Sequence, residues 1–221
     1  MNPRWRDLRV IVSAGPTFED IDPVRFIGNR SSGRMGFAIA AAAARRQARV
    51  VLVAGPVQLP TPEGVQRVDV RSAAQMRAAV LAALPADVYV GAAAVSDFAP
   101  AHTAPRKLKK TEGESLLRLE LVRTPDILAE VAAHAPRPRL VIGFAAETHD
   151  LEEYARDKLV RKRVDLIAAN QVGVAGSGFE SEDNMLVVYG ADFERTLGPA
   201  PKTQLADDLL ELAGEHLGAR Q

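Results

Sequence analysis

Two six-residue runs, Arg-Val-Ile-Val-Ser-Ala at 9–14 and Arg-Val-Val-Leu-Val-Ala at 49–54, constrain the fold of this chain more than any other feature. Both are mostly apolar at odd and even positions alike, so a strand made from either must be covered on its two faces. That is the situation of a parallel sheet between helices rather than of a half-solvated antiparallel one. Each run stops at a Gly-Pro pair, Gly15-Pro16 and Gly55-Pro56, which ends the strand in a loop. Between them residues 32–47 are alanine-rich and long enough for a helix. Strand, helix and strand in this order make one βαβ unit.

The alternation continues. A proline-punctuated connection occupies 57–70, a helix capped by Ser72 is predicted over 72–84, and a third buried strand over 87–92. Strands follow at 139–144, 165–168 and 185–189, and helices at 151–163 and 202–217. The expected fold is therefore α/β and Rossmann-like, a mainly parallel sheet with helices on both faces, in a single domain over 1–221. Such sheets bind ligands beyond the carboxyl ends of their strands. This chain puts Gly15, Thr17 and Glu19, then 93–97, 144–148 and Asn170, in those positions.

Composition narrows the function classes. Lys plus Arg and Asp plus Glu are 28 each, so overall charge favours neither nucleic acid nor an anionic membrane, and any basic site must be local. The absence of cysteine excludes disulfides, thiolate catalysis and cysteine-held metals. No apolar run approaches the roughly 20 residues of a membrane span, and 1–9 lacks a signal-peptide core, so a cytoplasmic location is expected. His102, His134, His149 and His216 are scattered, without metal-ligand spacing.

The polar loop at 22–36 is the first candidate site. Ser31 or Ser32 can cap the following helix, Gly33 and Gly36 permit close approach, and Arg25, Asn29, Arg30 and Arg34 suit a phosphorylated or carboxylated ligand. An ordinary surface loop with a helix cap is the alternative. Gly28 to Gly33 has P-loop spacing, but Arg34-Met35 stands where Lys-Ser/Thr is required. A second candidate is 95–124, long and mostly irregular, with a run of Arg106, Lys107, Lys109 and Lys110 inside a segment at about 99–115. It reads either as a mobile lysine-bearing flap or as a solvated basic loop, and 116–121 as a strand or hairpin arm beside it. On the helix at 151–163, Glu152/Arg156 and Asp157/Arg161 are favourable i,i+4 pairs, whereas Lys158 and Lys162 are like charges that call for an anion between them or are simply solvated. The loop 176–184 carries Glu180, Glu182 and Asp183, either near a metal–nucleotide complex or as a solvent-facing turn.

Taken together, Ala14-Gly-Pro-Thr17, Asp22-Pro-Val-Arg25, Asn29-Arg-Ser-Ser-Gly33, Ala92-Ala-Ala-Val95 with Asp97-Phe98, Lys107-Leu-Lys-Lys110, Pro125-Asp-Ile-Leu128, Gly143-Phe-Ala-Ala-Glu-Thr148 and Asn170 resemble the bacterial phosphopantothenoylcysteine synthetase domain. In many bacteria that domain is fused behind a flavin-dependent decarboxylase, so the chain is expected to be either a stand-alone synthetase or part of such a fusion. The resemblance implies condensation of 4′-phosphopantothenate with L-cysteine, driven by CTP with Mg2+, through an acyl-cytidylate, with release of CMP and pyrophosphate, in a homodimer. It maps nucleotide contacts onto Gly91, Ala92, Ala93, Asp97, Lys107, Pro125, Asp126, Ile127, Leu128, Phe144, Lys158 and Lys162, and phosphopantothenoyl contacts onto Arg25, Asn29 and Ala94. Lys107 is implied to stabilise charge in the first step and Asn29 to orient the intermediate in the second. Departures from the family pattern are Arg34 for Lys, Ser96 for a small apolar residue and Thr124 for Asn, with Thr124 expected to cap a helix from Pro125. The alternatives are the same ligase using ATP, a Rossmann-like NAD(P) oxidoreductase, disfavoured because no G-x-G-x-x-G follows the first strand, and a non-catalytic nucleotide-binding module.

Overall fold

The structure, a computed structural model, describes residues 5–109, 115–147, 149–171 and 183–219. Lys110, Thr148, Glu180, Glu182 and the side chain of Asp183 lie outside the described residues. In chain order the elements are β1 (Arg9–Ala14), β2 (Phe18–Asp20), β3 (Phe26–Gly28), α1 (Arg34–Arg45), β4 (Arg49–Ala54), β5 (Val65–Asp69), α2 (Ala73–Ala82), β6 (Val88–Gly91), β7 (Phe98–Pro100) and β8 (Leu121–Arg123). They continue as α3 (Ile127–Ala132), β9 (Leu140–Glu147), α4 (Leu151–Lys162), β10 (Leu166–Gln171), β11 (Asp183–Tyr189), β12 (Glu194–Pro201) and α5 (Lys202–Ala219).

One eight-stranded sheet runs β12-β11-β10-β9-β6-β1-β4-β5. From β10 to β5 every pairing is parallel, and β11 and β12 are added antiparallel at one edge. The chain builds outward from β1 in both directions, first through β4 to β5 and then through β6 to β9, so the topological switch lies between β1 and β6. A crevice opens at the carboxyl ends of strands at such a point. Val10, Val12, Val50, Leu52 and Val90 pack on one face beneath α1 and α5, whereas Ile11, Val53, Tyr89, Val141 and Ile167 pack on the other beneath α2, α3 and α4. Two separate cores explain why the runs 9–14 and 49–54 have no polar face.

The fold is the expected one, with corrections in its smaller parts. The connection 57–70 contains the edge strand β5, whose Val-Gln-Arg-Val-Asp pattern is half polar because only one neighbour covers it. The β2–β3 hairpin was not anticipated; it is three residues a side and pinned from outside, with the Phe18 amide bonded to Arg71 O at 2.7 Å. Thr17 and Glu19 are structural rather than ligand-facing: both are buried, Thr17 Oγ1 accepts from the Ser96 amide, and Glu19 Oε1 accepts from the Ala73 amide at the start of α2. Residues 116–120 are exposed and without regular structure, and the hairpin arm is β8, paired with β7. The third helix begins at Ile127, capped by Asp126 through the Ala129 amide at 3.1 Å, whereas Thr124 spends its hydroxyl on Ser96 O.

Helix α1 is entered through Gly33 at φ 74°, with no side-chain cap; Ser31 Oγ instead accepts from the Gly33 amide at 3.4 Å. Gly36 lies on the end of β1, where an added Cβ would stand 2.5 Å from Ala14 Cβ and 3.2 Å from Ala14 Cα. Gly36→Ala should therefore destabilise. Helix propensity alone favours Ala by about 1 kcal/mol, but overpacking against backbone costs about 1–3 kcal/mol and outweighs it. Urea denaturation checks this, and a raised midpoint would show that α1 can step aside.

Candidate functional site

At the switch point two adjoining cavities open, of about 440 Å³ and about 530 Å³. They share Ala93, Val95, Asp97, Phe144 and Lys158. The segment after β6 forms this common wall and is held rigidly: the Ala92 amide bonds to Ser13 O, the Ala94 amide to Gly15 O at 2.9 Å, and Ala94 O accepts from the Thr17 amide at 3.2 Å. Backbone satisfied in this way presents small side chains to the cavities at little cost in mobility.

The first cavity combines apolar and cationic lining. Gly91, Ile127, Leu128 and Phe144 contribute apolar surface, Arg123, Lys158, Arg161 and Lys162 contribute positive charge, and Asp97, Pro125 and Asp126 complete the wall. Ser13 and Tyr89 meet at its base, hydroxyl to hydroxyl, at 3.0 Å. Burial pushes the Tyr89 hydroxyl up to about 12, helped by the charge of Asp126 and opposed by the Ser13 hydrogen bond. It is a neutral hydroxyl at every physiological pH.

Lys158 donates to Phe144 O at 2.7 Å, so it reaches from α4 to the backbone within β9. Burial and the charge of Lys162 hold the Lys158 ammonium below its ordinary range, against the pull of Glu147, Asp126 and Asp97. Lys162 is ion-paired with Asp126. For Asp126 burial works against ionisation, but Lys162, the Ala129 amide and Arg161 outweigh it and keep the carboxylate low. The expected anion between the two lysines is thus replaced, on the Lys162 side, by a carboxylate from the cap of α3. A phosphate entering this cavity has to compete with Asp126 for Lys162.

The second cavity is lined by 29–36 at the start of α1, by Ala92 and Ala94, and by Glu147, Asn170, Asn184 and Lys202. Asn29 Nδ2 donates to Ala94 O at 3.1 Å, which leaves its Oδ1 as an acceptor. Burial, with the charge of Arg34 added, lowers the Lys202 ammonium.

Most of the residues singled out in the sequence therefore gather on two contiguous cavities. Arg25 and Lys107 do not: neither lines either of these two cavities. Arg25 is tied to Asp22 and to Leu108 O, and Lys107 is exposed. Ser13, Tyr89, Arg123, Arg161, Asn184 and Lys202 were not anticipated. Strand membership hid Ser13 and Tyr89, and Lys202 sits on a terminal helix whose first turn reaches the cavity only through the antiparallel edge. Among the described residues no group of three acids or histidines gathers to hold a metal ion, and no helix is long and apolar enough to cross a membrane.

A model of the DNA/pantothenate metabolism flavoprotein C-terminal domain matches residues 5–216. The chain belongs to this family. Its sequence is 47% identical over 210 residues to the coenzyme A biosynthesis bifunctional protein CoaBC of Vibrio cholerae, covering 95% of this chain and 53% of that protein. It is 50% identical over 208 residues to CoaBC of Escherichia coli K12, covering 93% and 51%. The flavoprotein C-terminal domain seen here thus spans about half the length of the curated relatives it matches. A crystal structure of the C-terminal domain of CoaBC superposes with a TM-score of 0.83 at 36% identity, covering 99% of this chain and 100% of that one. A Cab2 mutant in complex with phosphopantothenate-cysteine shares the fold, at 16% identity and a TM-score of 0.75, covering 98% and 89%. These relatives place the flavoprotein C-terminal domain on an α/β scaffold with a parallel core, and the two cavities lie at that scaffold's switch point.

Proposed function

We propose that this domain is the phosphopantothenate–cysteine ligase of coenzyme A biosynthesis, joining 4′-phosphopantothenate to L-cysteine at the expense of CTP. The observation that carries this reading is the pair of cavities sharing one wall: one lined by apolar side chains together with Arg123, Lys158, Arg161 and Lys162 suits a nucleoside triphosphate, and the adjoining one, lined by Asn29 and the first turn of α1, suits an acid to be activated. The membership of the CoaBC relatives in a coenzyme A pathway supports the same choice.

On this reading the base rests against Leu128 and Phe144, and Lys158 and Lys162 take the β- and γ-phosphates, with Lys162 exchanging Asp126 for phosphate. The substrate carboxylate attacks the α-phosphorus, the bond to the bridging oxygen breaks, and pyrophosphate leaves. The cysteine amine then attacks the acyl carbon, loses a proton, and CMP departs. Neither step requires an enzyme nucleophile. Lys107, carried in by its segment, neutralises charge on the α-phosphate in the first step, Arg25 contacts the phosphopantothenoyl group, and Asn29 with Ala94 orients the acyl-cytidylate for the amine. Magnesium, when bound, would supply charge neutralisation of the phosphates, and Asp97, which lines both cavities and has no ion pair among the described residues, is the acid that would help to hold it.

Pyrophosphate release with 4′-phosphopantothenate and magnesium tests the proposal, comparing CTP with ATP and adding or omitting cysteine. Cysteine-dependent turnover with CTP is expected. Turnover with ATP alone would keep the reaction and overturn the base, and no release with either nucleotide would leave a binding module.

A further inference from the structure

The segment that carries Lys107 is fastened to the loop that carries Arg25 at several points, and the attachment next to Lys107 is made by one buried carboxylate. Asp22 is buried. Its Oδ1 accepts from the amides of Val24 at 2.8 Å and Arg25 at 2.9 Å. Its Oδ2 accepts from Arg25 Nη2 at 2.6 Å, from Arg25 Nε at 3.1 Å and, across 86 positions of sequence, from the Leu108 amide at 3.1 Å. Arg25 Nη2 completes the ring by donating to Leu108 O at 3.0 Å. The neighbouring attachments run to the same loop: the Ala104 amide bonds to Ile21 O and Thr103 Oγ1 to Asp20 O. Asp20 is in turn gripped by Arg71, whose guanidinium lies over Phe18 and Phe26, so the anchor is continuous with the body of the domain. Lys107 has no hydrogen bond or ion pair among the described residues, and its position follows from that of Leu108.

We propose that Asp22 is a positioning residue for the ligase reaction, holding Arg25 and the Lys107 segment as one unit so that the two keep their relative placement when nucleotide and acid bind. The proposal rests on the ligase reading above. A buried carboxylate receiving five donors has enough geometry to fix two loops relative to each other. Displacing a reacting group by about 1 Å can cost about 100-fold in rate. Asp22→Asn keeps the size and one acceptor oxygen but replaces the other with an amide that cannot accept from Leu108.

Three measurements decide it. In the intact wild-type protein, hydrogen exchange should find the Leu108 amide protected against those of Arg106 and Lys107; equal exchange at all three overturns the latch without any variant having to fold. In Asp22→Asn, acyl-nucleotide formation should fall by about 10- to 100-fold, with a raised KM for 4′-phosphopantothenate and the Leu108 protection lost. In a Lys107→Gln background the same substitution should still raise the KM for 4′-phosphopantothenate through Arg25 but lower the saturated rate of that step by less than about twofold, because the charge that it positions for that step is gone. Effects that multiply would assign Asp22 to general stability and overturn the proposal. Should the wild type form no acyl nucleotide with CTP or ATP, the ligase reading fails, and with it the catalytic role of Asp22, whereas the exchange pattern still reports whether the latch itself exists.

Discussion

Lys158→Gln is expected to raise the KM for CTP by roughly 10- to 100-fold while leaving the fold intact. A hydrogen bond to a charged group is worth about 1.5–3 kcal/mol, and about 1.4 kcal/mol is tenfold in affinity. Glutamine retains a donor for Phe144 O, the one partner Lys158 has been given by α4 packing on β9. The stability sign also follows. A lysine whose folded pKa lies below its unfolded value carries its penalty at low and neutral pH, and the penalty disappears as pH rises above the unfolded value. The ammonium of Lys158 is held low by burial and by Lys162, so removing it should not reduce Tm at neutral pH. An incoming triphosphate reverses the balance and raises that pKa. Between the free and bound values the free site lacks a proton that the complex holds, so binding takes up protons there and weakens as pH rises through the free value. Calorimetry at alkaline pH in two buffers of different ionisation enthalpy should show the uptake in the wild type and its absence in Lys158→Gln. Undiminished uptake in the variant would place the titrating group elsewhere.

What could be read in advance was governed by burial. Residues 9–14 and 49–54 became β1 and β4 with their ends where the residues change character, because each strand is enclosed on both faces and only apolar residues survive there. β5 was missed because an edge strand can afford glutamine, arginine and aspartate, and β2 and β3 because three-residue strands depend on bonds to distant partners. The cap of α1 was misjudged for a local reason: serine was expected at the helix start, but the chain turns in through left-handed Gly33, which brings Gly36 against β1. Within the site, i,i+4 spacing correctly paired Arg156 with Glu152 and Arg161 with Asp157. It had nothing to say about Asp126 reaching Lys162 from 36 positions away, nor about Asp22 reaching Leu108. Spacing along one helix exposes a conflict between charges, and only the packing of a second element reveals how it is resolved.

Lys107→Gln and Asn29→Asp should part company on the two halves of the reaction. Loss of one preorganised charge at a developing oxyanion costs about 100- to 1,000-fold, so Lys107→Gln is expected to suppress acyl-cytidylate formation by that order, with no intermediate accumulating. Asn29 acts later. Its Nδ2 holds Ala94 O at 3.1 Å, and a carboxylate placed there offers an acceptor to an acceptor. The side chain must turn away, so the acyl group loses its orientation toward the amine although the nucleotide cavity, lined without Asn29, is untouched. Asn29→Asp should therefore release one equivalent of pyrophosphate in a burst and then stall. Rapid quenching with labelled CTP, and trapping of the acyl group by hydroxylamine, would display the stalled species. A wild-type burst from Lys107→Gln would remove Lys107 from the first step. A missing burst from Asn29→Asp would mean that Asn29 already shapes the attack on the α-phosphorus, and the division of labour between the two cavities would have to be redrawn around their shared wall.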